Sequence, residues 1–472
     1  MPASHHSPSP SPPPSKRQKT DTESTPSLRP RVNFRDAVTL APMVRSGTLP
    51  SRLLALKYGA DLVWHPETVD KAIIGCERVV NESTGVISYT RGGRALFTMH
   101  PIERNHLIFQ LGSADPELAV KAALTVLPDV AGIDLNCGCP KSFSVHSGMG
   151  AALLTNPDLL CGILTALREA LPSDVPVTAK IRLLPTQDDT LKLVKRIVET
   201  GVSALTVHCR TRNMRPREPA LIHRLREVVE FVEGLGVGVT VLENGDCSGR
   251  PDAKRVRDTT GAHGVMIARA AESNLSCFST DPIVDATSVL ALEYLRLAKY
   301  LDNAWGNSKF CVSQFSSPSP ASAPGGKSYL KHFRSLLTSA KEYDVFENEF
   351  EGGLAGGEGI MDEIRNVMEA RNASGGAEND GSIPAIKPEE DAVAGEGSAR
   401  VALVDGIIAA TNEHARTATP ASATGEFELG APTVNPIAPD FRGETHDKSG
   451  DLPLIIRSFE QNQAETPGFR SR

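Results

Sequence analysis

Eight short apolar runs recur between residues 38 and 270, and most are followed by a segment with helical spacing of its apolar residues. The runs lie at 38–43, 61–67, 107–112, 132–138, 177–183, 204–210, 239–246 and 264–270. Strands that alternate with amphipathic helices form parallel βαβ units. Eight such units in about 240 residues predict a (β/α)8 barrel, or TIM barrel, a fold that typically takes ~250 residues.

A doubly wound open sheet is the competing explanation of the same alternation. It would gain support from a GxGxxG motif after the first run, where a dinucleotide pyrophosphate binds in that fold. No such motif follows VTLAPM at 38–43. We therefore predict an α/β fold with a TIM barrel at 33–280.

The alternation of apolar runs and helical segments ends at about residue 280. Helical spacing is found at 285–306 and 329–343, on either side of a Ser/Pro/Gly stretch at 316–326. This pattern predicts a small all-α helical domain at 281–345. The segment 1–32 is rich in Pro and Ser, and 346–472 is rich in Gly, Glu and Ala. We predict that both are disordered tails, apart from short helical patterns at 359–372 and 399–415.

Composition excludes several classes of protein. No run of eighteen apolar residues predicts a membrane span, and the N-terminus lacks the apolar region of a secretory signal. The eight cysteines show no CxxC pairing, which argues against a disulfide framework or a zinc ribbon and predicts no structural metal. We expect a reducing, cytoplasmic location. The basic Lys16–Lys19 could add nuclear import, although a solvated charge cluster is the favoured explanation.

The net charge of -7 is unevenly distributed. Residues 31–280 hold 29 Lys and Arg against 26 Asp and Glu, whereas residues 281–472 hold 17 against 29. The acidity therefore belongs to the C-terminal part. An anionic partner remains compatible with the predicted barrel.

Polar side chains stand at or just after the ends of most of the predicted strands. They are Met43, Glu67, Gln110, Asn136, Cys139, Lys180, Arg182, His208, Asn244, Asp246 and Arg269, with Met43 the one apolar member. Active sites of TIM barrels lie at the carboxyl ends of the strands. We predict the functional site on this rim.

The last two strands end where TIM barrels usually bind a phosphate group. The residues concerned are Asn244, Gly245, Asp246, Ala268 and Arg269. A glycine turn lets backbone N–H groups approach a phosphate, and an arginine adds charge. The alternative is a pair of ordinary loops, but their joint position favours a cofactor phosphate.

Lys180 lies within an apolar run, so it is either a member of a buried ion pair or a partner for an electron-rich ring. A cation near N1 of a reduced flavin would stabilise its negative charge. Gln110 and His208 could hydrogen-bond the ring or the phosphate. Each alone is more typical of a satisfied core residue, but together on one rim they predict a site.

Eight motifs at these positions resemble the tRNA-dihydrouridine synthase family. They are LAPMVR (40–45), FQLG (109–112), DLNCGCPK (134–141), SGMGAALL (147–154), AKIRL (179–183), TVHCRTR (206–212), ENGD (243–246) and ARA (268–270). The segment DNAWGNSKFC (302–311) looks like part of the family's helical tRNA-binding domain. The sequence most resembles the eukaryotic cytoplasmic branch that acts on uridine 20 of the tRNA D-loop.

The resemblance implies a flavin enzyme. FMN would be held by Pro42, Met43 and Val44 after the first strand, by Gln110, Lys180 and His208 around the ring, and by the phosphate residues named above. NADPH would reduce the flavin, hydride would pass to C6 of a uracil ring, and Cys139 would protonate C5. Cys137 stands where the family often has methionine, so we expect it to serve packing. A metal-binding CxC pair or two inert thiols are the alternatives for these cysteines.

The same resemblance implies contacts with tRNA. Asn136 and Lys141 flank the cysteine and are candidates for contacting the extruded uracil or its backbone. The basic run 209–219 carries Arg210, Arg212, Arg215 and Arg217. We expect these arginines to meet tRNA phosphates, with a solvated loop as the alternative. We expect a monomer with tRNA as its partner.

The sequence differs from the family pattern in two ways, and two other functions are still compatible with it. No double-stranded-RNA-binding pattern is found in 346–472, and Ala268 stands where glycine is common. The first rival is an FMN barrel enzyme acting on a free pyrimidine, similar to dihydroorotate dehydrogenase. The second is a non-catalytic tRNA-binding protein, which would need neither Cys139 nor Lys180.

Overall fold

The computed structural model describes residues 31–215, 217–316 and 326–375. These residues form two compact units. The first contains the chain up to Pro42, Asp61–Asp246 and Ala253–Met266, and the second contains Met43–Ala60, Cys247–Asp252 and the chain from Ile267 onward. Residues 1–30 and 376–472, which hold most of the predicted tails, lie outside the described residues, as does the helical pattern predicted at 399–415.

The strands, in chain order, are β1 Val38–Leu40, β2 Val63–Trp64, β3 Thr68–Val69, β4 Glu77–Val80, β5 Ile87–Arg91, β6 Arg94–Met99, β7 Leu107–Gly112, β8 Gly132–Cys137, β9 Val177–Leu183, β10 Ala204–Thr211, β11 Thr240–Asn244 and β12 Gly264–Ile267. The helices are α1 Leu49–Lys57, α2 Asp70–Ile73, α3 Pro116–Val126, α4 Ser142–His146, α5 Pro157–Ala170, α6 Gln187–Val198, α7 Leu225–Gly234, α8 Arg250–Thr260, α9 Arg269–Ser273, α10 Ala291–Tyr300, α11 Trp305–Gln314, α12 Gly326–Ser339 and α13 Gly357–Gly375.

Eight strands close into a ring in the first unit. Their order is β2-β1-β12-β11-β10-β9-β8-β7, and β7 pairs with β2 to complete the circle. Pairing is parallel from β1 through β2, β7, β8, β9, β10 and β11 to β12. All six residues of β8 are buried, as expected for a strand covered on both faces. The predicted TIM barrel is confirmed.

An antiparallel sheet of β4, β5 and β6 precedes β7 and was not predicted from the sequence. Its tight turn is made by Gly92 and Gly93, which have φ values of 56° and 74°. Two-residue hairpin turns of this kind require positive φ, and glycine adopts it without strain. The buried Asp129 accepts hydrogen bonds from Arg78 Nε at 2.6 Å and from Tyr89 Oη at 2.7 Å, which ties the sheet to the segment before β8.

The register of the barrel determines which polar groups meet. Gln110 pairs with Asp134, Asn136 with Lys180, and His208 with Asn244 on the adjoining strands. Residues at alternate positions of a strand share one face. The polar ends of β7 to β11 are therefore brought together on the same side of the ring.

The second unit is helical and continues beyond the predicted end at 345. Met361, Ile364 and Met368 form the buried face of α13, and this helix packs against α1 and α10. Lys57 on α1 bonds to Glu293 on α10 and to Glu363 on α13. Helix α13 lies at the helical pattern predicted at 359–372, within a segment whose Gly- and Glu-rich composition otherwise predicted a disordered tail.

Neither a membrane span nor a metal cluster occurs in the described part of the chain. In residues 31–215, 217–316 and 326–375, no helix has both the length and the apolar character needed to cross a membrane. The same residues contain no cluster of three or more His, Cys, Asp or Glu side chains arranged to hold a metal ion.

Candidate active site

Lys180 stands on β9, and its ammonium group reaches across β10 to β11. Nζ donates a hydrogen bond to Asn244 Oδ1 at 2.9 Å, and Asn244 Nδ2 donates to Met266 O at 2.8 Å. Burial, and then the charge of Arg182, lower the pKa of Lys180 to about 8. Asn244 is the one hydrogen-bond partner of this ammonium group among the described residues, so further N–H groups are available to an electron-rich ligand.

A network of buried polar side chains connects β7, β8 and β9. Gln110 Nε2 donates to Asp134 Oδ2 at 2.8 Å, and Asn136 Nδ2 donates to Gln110 Oε1 at 3.2 Å. Thr178 donates to the other Asp134 oxygen at 2.5 Å. Burial raises the pKa of Asp134 to about 6, against the opposing effect of these hydrogen bonds. The network fixes the side chains of Gln110 and Asn136, whose amides still have unused hydrogen-bonding positions.

The loop that carries Cys139 is held on several sides. Asn136 Oδ1 accepts hydrogen bonds from the backbone N–H groups of Gly138 and Cys139, both at 3.0 Å. Arg182 Nε donates to Gly138 O at 2.8 Å, and the N–H of Ala151 donates to Cys139 O at 2.9 Å. The half-buried Cys139 therefore stands on a rigid loop beside the end of β9.

Burial and the nearby carboxylate of Glu67 raise the pKa of the Cys139 thiol to about 11. A thiol with this pKa keeps its proton at neutral pH, as a general acid requires. Cys137 is fully buried in β8, and burial raises the pKa of its thiol well above the ordinary value. The structure thus gives the two cysteines different surroundings, one at the mouth of the barrel and one in its wall.

The structure corrects the prediction for Arg210. Its guanidinium is buried rather than exposed, with NH2 donating to both carboxylate oxygens of Asp246 at 2.7 Å and Nε donating to Glu218 O at 2.9 Å. A phosphate cannot reach a group so enclosed. Nη1 of Arg210 lies 3.4 Å from Nε2 of His208, so the guanidinium contacts one of the predicted cofactor residues.

The same bonds limit what Asp246 can do. Its carboxylate is bound by Arg210 and by the N–H of Ala220, which donates at 2.8 Å. A backbone φ of 65° turns the chain sharply at this residue. The carboxylate is therefore directed to the loop after β10, and the backbone is the part of Asp246 that suits an anionic phosphate.

The other predicted cations of this unit lie on its surface. Arg212, Arg215, Arg217 and Lys141 are exposed, the first three in the loop after β10 and the last just before α4. Exposed guanidinium groups can bind phosphates because little desolvation opposes the contact. Their positions are compatible with the predicted nucleic-acid contact.

Comparison with known proteins identifies the family of this chain. A family model described as dihydrouridine synthase (Dus) matches residues 39–299, more than half of the chain. The chain belongs to the dihydrouridine synthase family. The match includes all eight barrel strands except the first residue of β1, together with most of α10.

Three curated relatives place the chain within that family. It is 49% identical over 327 residues to "tRNA-dihydrouridine(20) synthase [NAD(P)+]" of Schizosaccharomyces pombe, an alignment covering 68% of this chain and 66% of that protein. It is 41% identical to the protein of the same name from Saccharomyces cerevisiae, covering 64% and 81%. Identity to the "tRNA-dihydrouridine(20a/20b) synthase [NAD(P)+]" of Saccharomyces cerevisiae is 31%, covering 56% and 67%. The chain thus spans just under two thirds of the fission yeast relative.

Four of the predicted cofactor residues belong to the second unit. Val44 and Arg269 are exposed, and Met43 and Ala268 are half-buried. Ala268 precedes α9 and accepts a backbone hydrogen bond from Glu272 at 2.9 Å. Pro42, the remaining predicted residue after β1, is half-buried in the first unit.

Three polar residues of the candidate site had no assigned role in the sequence-based prediction. Glu67 and Arg182 were noted at strand ends, but their contacts with the Cys139 loop depend on residues far away in sequence. Asp134 gave a signal that was overlooked, because a carboxylate inside the buried strand IDLNC is unusual.

Proposed function

We propose that this chain is a flavin-dependent tRNA-dihydrouridine synthase that reduces uridine 20 of the tRNA D-loop to 5,6-dihydrouridine. Membership of the family and the names of its relatives support this assignment. The observation that carries it is the combination, at one barrel mouth, of an anchored thiol with a raised pKa and a buried lysine with unused N–H groups.

The residues present fit FMN. Lys180 offers a positive charge to the ring, and the amides of Gln110 and Asn244 have hydrogen-bonding positions to spare. His208 is half-buried beside Arg210, within the same set of strands. The backbone of Gly245 and Asp246 would take the phosphate, and the assignments of Pro42, Met43, Val44, Ala268 and Arg269 to the cofactor stay predictions from the sequence. NADPH is the proposed reductant, which matches the "NAD(P)+" in the names of the relatives.

Bound FMN, once reduced, would supply hydride to C6 of the uracil ring. Cys139 gives a proton from Sγ to C5, and water then returns a proton to the thiolate. Lys180 stabilises negative charge on the ring, and Asn136 keeps the Cys139 loop in place through two backbone N–H groups. Lys141 and the exposed Arg212, Arg215 and Arg217 bind the tRNA backbone. The protein acts as a monomer in the cytoplasm.

The test uses the purified protein under anaerobic conditions. NADPH reduces the bound flavin, unmodified tRNA is added, and flavin absorbance is followed. Prompt reoxidation by tRNA, but not by free uridine or orotate, is expected, with dihydrouridine at position 20 as product. Reoxidation by orotate alone would indicate a small-molecule enzyme, and absence of flavin would contradict the proposed cofactor site.

A further inference from the structure

Glu67 follows β2, and its carboxylate is enclosed beside the loop that carries Cys139. Ser144 Oγ donates a hydrogen bond to Glu67 Oε1 at 2.9 Å. Glu67 Oε2 is buried without a conventional hydrogen-bond partner among the described residues. The negative charge of this carboxylate acts on the nearby Cys139 thiol and, after burial, is the main cause of its raised pKa. A buried carboxylate oxygen with so few partners calls for a functional explanation.

Two glycines make this arrangement possible. A Cβ atom at Gly112 would lie 2.6 Å from Glu67 Oε1, so glycine at the end of β7 leaves space for the carboxylate in its present position. A Cβ atom at Gly150 would lie 2.4 Å from Ser144 Oγ and 2.7 Å from Cys139 O. The backbone therefore packs Glu67, Ser144 and Cys139 against one another from two sides.

The charged groups around the Cys139 thiol have opposite effects on its pKa. Lys180 and Arg182, both on β9, interact electrostatically with it and favour the thiolate. The Lys141 backbone N–H and Ser144 act in the same direction. Glu67 acts in the other direction, because its negative charge disfavours a second negative charge nearby. The neighbouring Cys137 thiol is buried, and the charge of Glu67 contributes to its raised pKa.

We propose that Glu67, which packs with Ser144 against the loop of Cys139, is a positioning residue that helps to keep the proton on the Cys139 thiol. The inference rests on the proposed function, in which Cys139 donates the proton to C5. Without Glu67, burial would still favour the protonated thiol, but the charges of Lys180 and Arg182 would be less opposed, and the thiol would lose its proton at a lower pH. When the S–H bond breaks and the C5–H bond forms, the thiolate stands beside a carboxylate, and water replaces the lost proton.

The test measures the thiol without tRNA or NADPH. Wild-type and Glu67→Gln proteins are alkylated with brief pulses of iodoacetamide between pH 8 and pH 12, a range that includes the wild-type pKa of about 11, and the rate at Cys139 is followed by peptide mass spectrometry. We expect the midpoint of the pH profile to fall by about one unit or more in Glu67→Gln. At pH 8 the alkylation rate of Cys139 should rise roughly fourfold for each unit by which its pKa falls. Each unit gives tenfold more thiolate, and the lower nucleophilicity of that thiolate offsets part of the gain.

Ser144→Ala provides a variant with the opposite sign. Loss of the Ser144 hydroxyl removes a group that lowers the pKa of Cys139, so alkylation should become slower. The half-buried Cys161, on α5, serves as an internal control, and its alkylation rate should not change in either variant.

An unchanged profile at Cys139 in both variants would overturn the role of Glu67, whatever the substrate of the enzyme. By contrast, dihydrouridine formation at the wild-type rate by Cys139→Ala would overturn the proposed acid and leave the measured thiol profile intact. The activity of Glu67→Gln should fall at high pH and change little near pH 7, whereas a merely structural defect would lower activity equally at every pH.

Discussion

The Nζ atom of Lys180 lies 2.9 Å from Oδ1 of Asn244, a contact that spans from β9 to β11 over the intervening strand. This contact fixes the position of a cation whose pKa is lowered to about 8 by burial and by Arg182. Half of these lysines are neutral at pH 8, which is close to physiological pH. The charge that the site offers to a ligand is therefore sensitive to small changes in pH.

Lys180→Met should weaken FMN binding by roughly tenfold to a hundredfold, the usual contribution of a hydrogen bond to a charged group. In the wild type, affinity should fall as pH rises through about 8, because the lysine loses its charge there. The variant should show no such dependence. Flavin fluorescence titrations at several pH values measure both effects, and Lys192→Met, at an exposed position of α6, is the matched control.

Cys139→Ala should lose dihydrouridine formation by about 10²- to 10⁴-fold, the typical contribution of a general acid. It should retain bound flavin and NADPH oxidation, because the thiol acts only after the ring is reduced. Product analysis of tRNA by mass spectrometry gives the first quantity, and the decrease in NADPH absorbance gives the second. Cys161→Ala is the control, and equal product from both variants would contradict the assignment.

Replacing Arg212, Arg215 and Arg217 by Ala should weaken tRNA binding and flatten its dependence on salt. For every phosphate that the variant no longer neutralises, the slope of log K against log salt should decrease by about 0.7–0.9. A control variant removes the same charge from α6, at Lys192, Lys195 and Arg196. Flavin content should not change in either variant, and equal salt slopes would show that the arginine loop makes no phosphate contacts.

Arg210→Met should destabilise the first unit by about 2 kcal/mol, below the ~3–5 kcal/mol of fully buried pairs because Asp246 is partly exposed. The side chains of Arg210 and Asp246 are 5% and 33% exposed. Urea unfolding followed by fluorescence measures the loss. Arg212→Met, at an exposed position nearby, should change stability by less than about 0.5 kcal/mol.

Ile364→Ala should destabilise the helical unit by about 2–5 kcal/mol, as expected for a truncated side chain in a well-packed core. Ile364 is 0% exposed on α13, next to the Lys57–Glu363 ion pair. Thermal unfolding followed by circular dichroism tests the prediction. Asn366→Ala, at an exposed position on the same helix, should leave the melting temperature unchanged. Equal melting of the two variants would mean that α13 contributes little to the unit.

The barrel could be predicted because its signals are local. Each strand is an apolar run of a few residues ending in a polar group, and each helix shows its own spacing. The sheet of β4 to β6 was missed although Ile87–Arg91 alternates and Gly92–Gly93 is a strong turn signal. The hairpin was missed because the prediction assumed a regular alternation of single strands and helices, and a hairpin between two barrel strands interrupts that alternation.

The errors at the site arise from contacts between residues distant in sequence. Arg210 was expected to meet tRNA phosphates, but Asp246, which lies 36 positions later in the sequence, binds its guanidinium. The role of Glu67 depends on Ser144, which lies 77 positions away. No local pattern records such pairings. The spacing of Met361, Ile364 and Met368 is local, in contrast, and it is part of the helical pattern predicted at 359–372.

Closure of the barrel also affects how the chain can be synthesised. β1 borders β12 in the ring, and Thr39 Oγ1 donates to Val265 O across 226 positions of sequence. A ribosome that adds roughly 5–20 residues per second needs about 10–45 s to cover that distance. One edge of β1 has no neighbouring strand during this interval. Neighbouring nascent chains on one messenger RNA can therefore pair with each other through this open edge of β1 until β12 has been made.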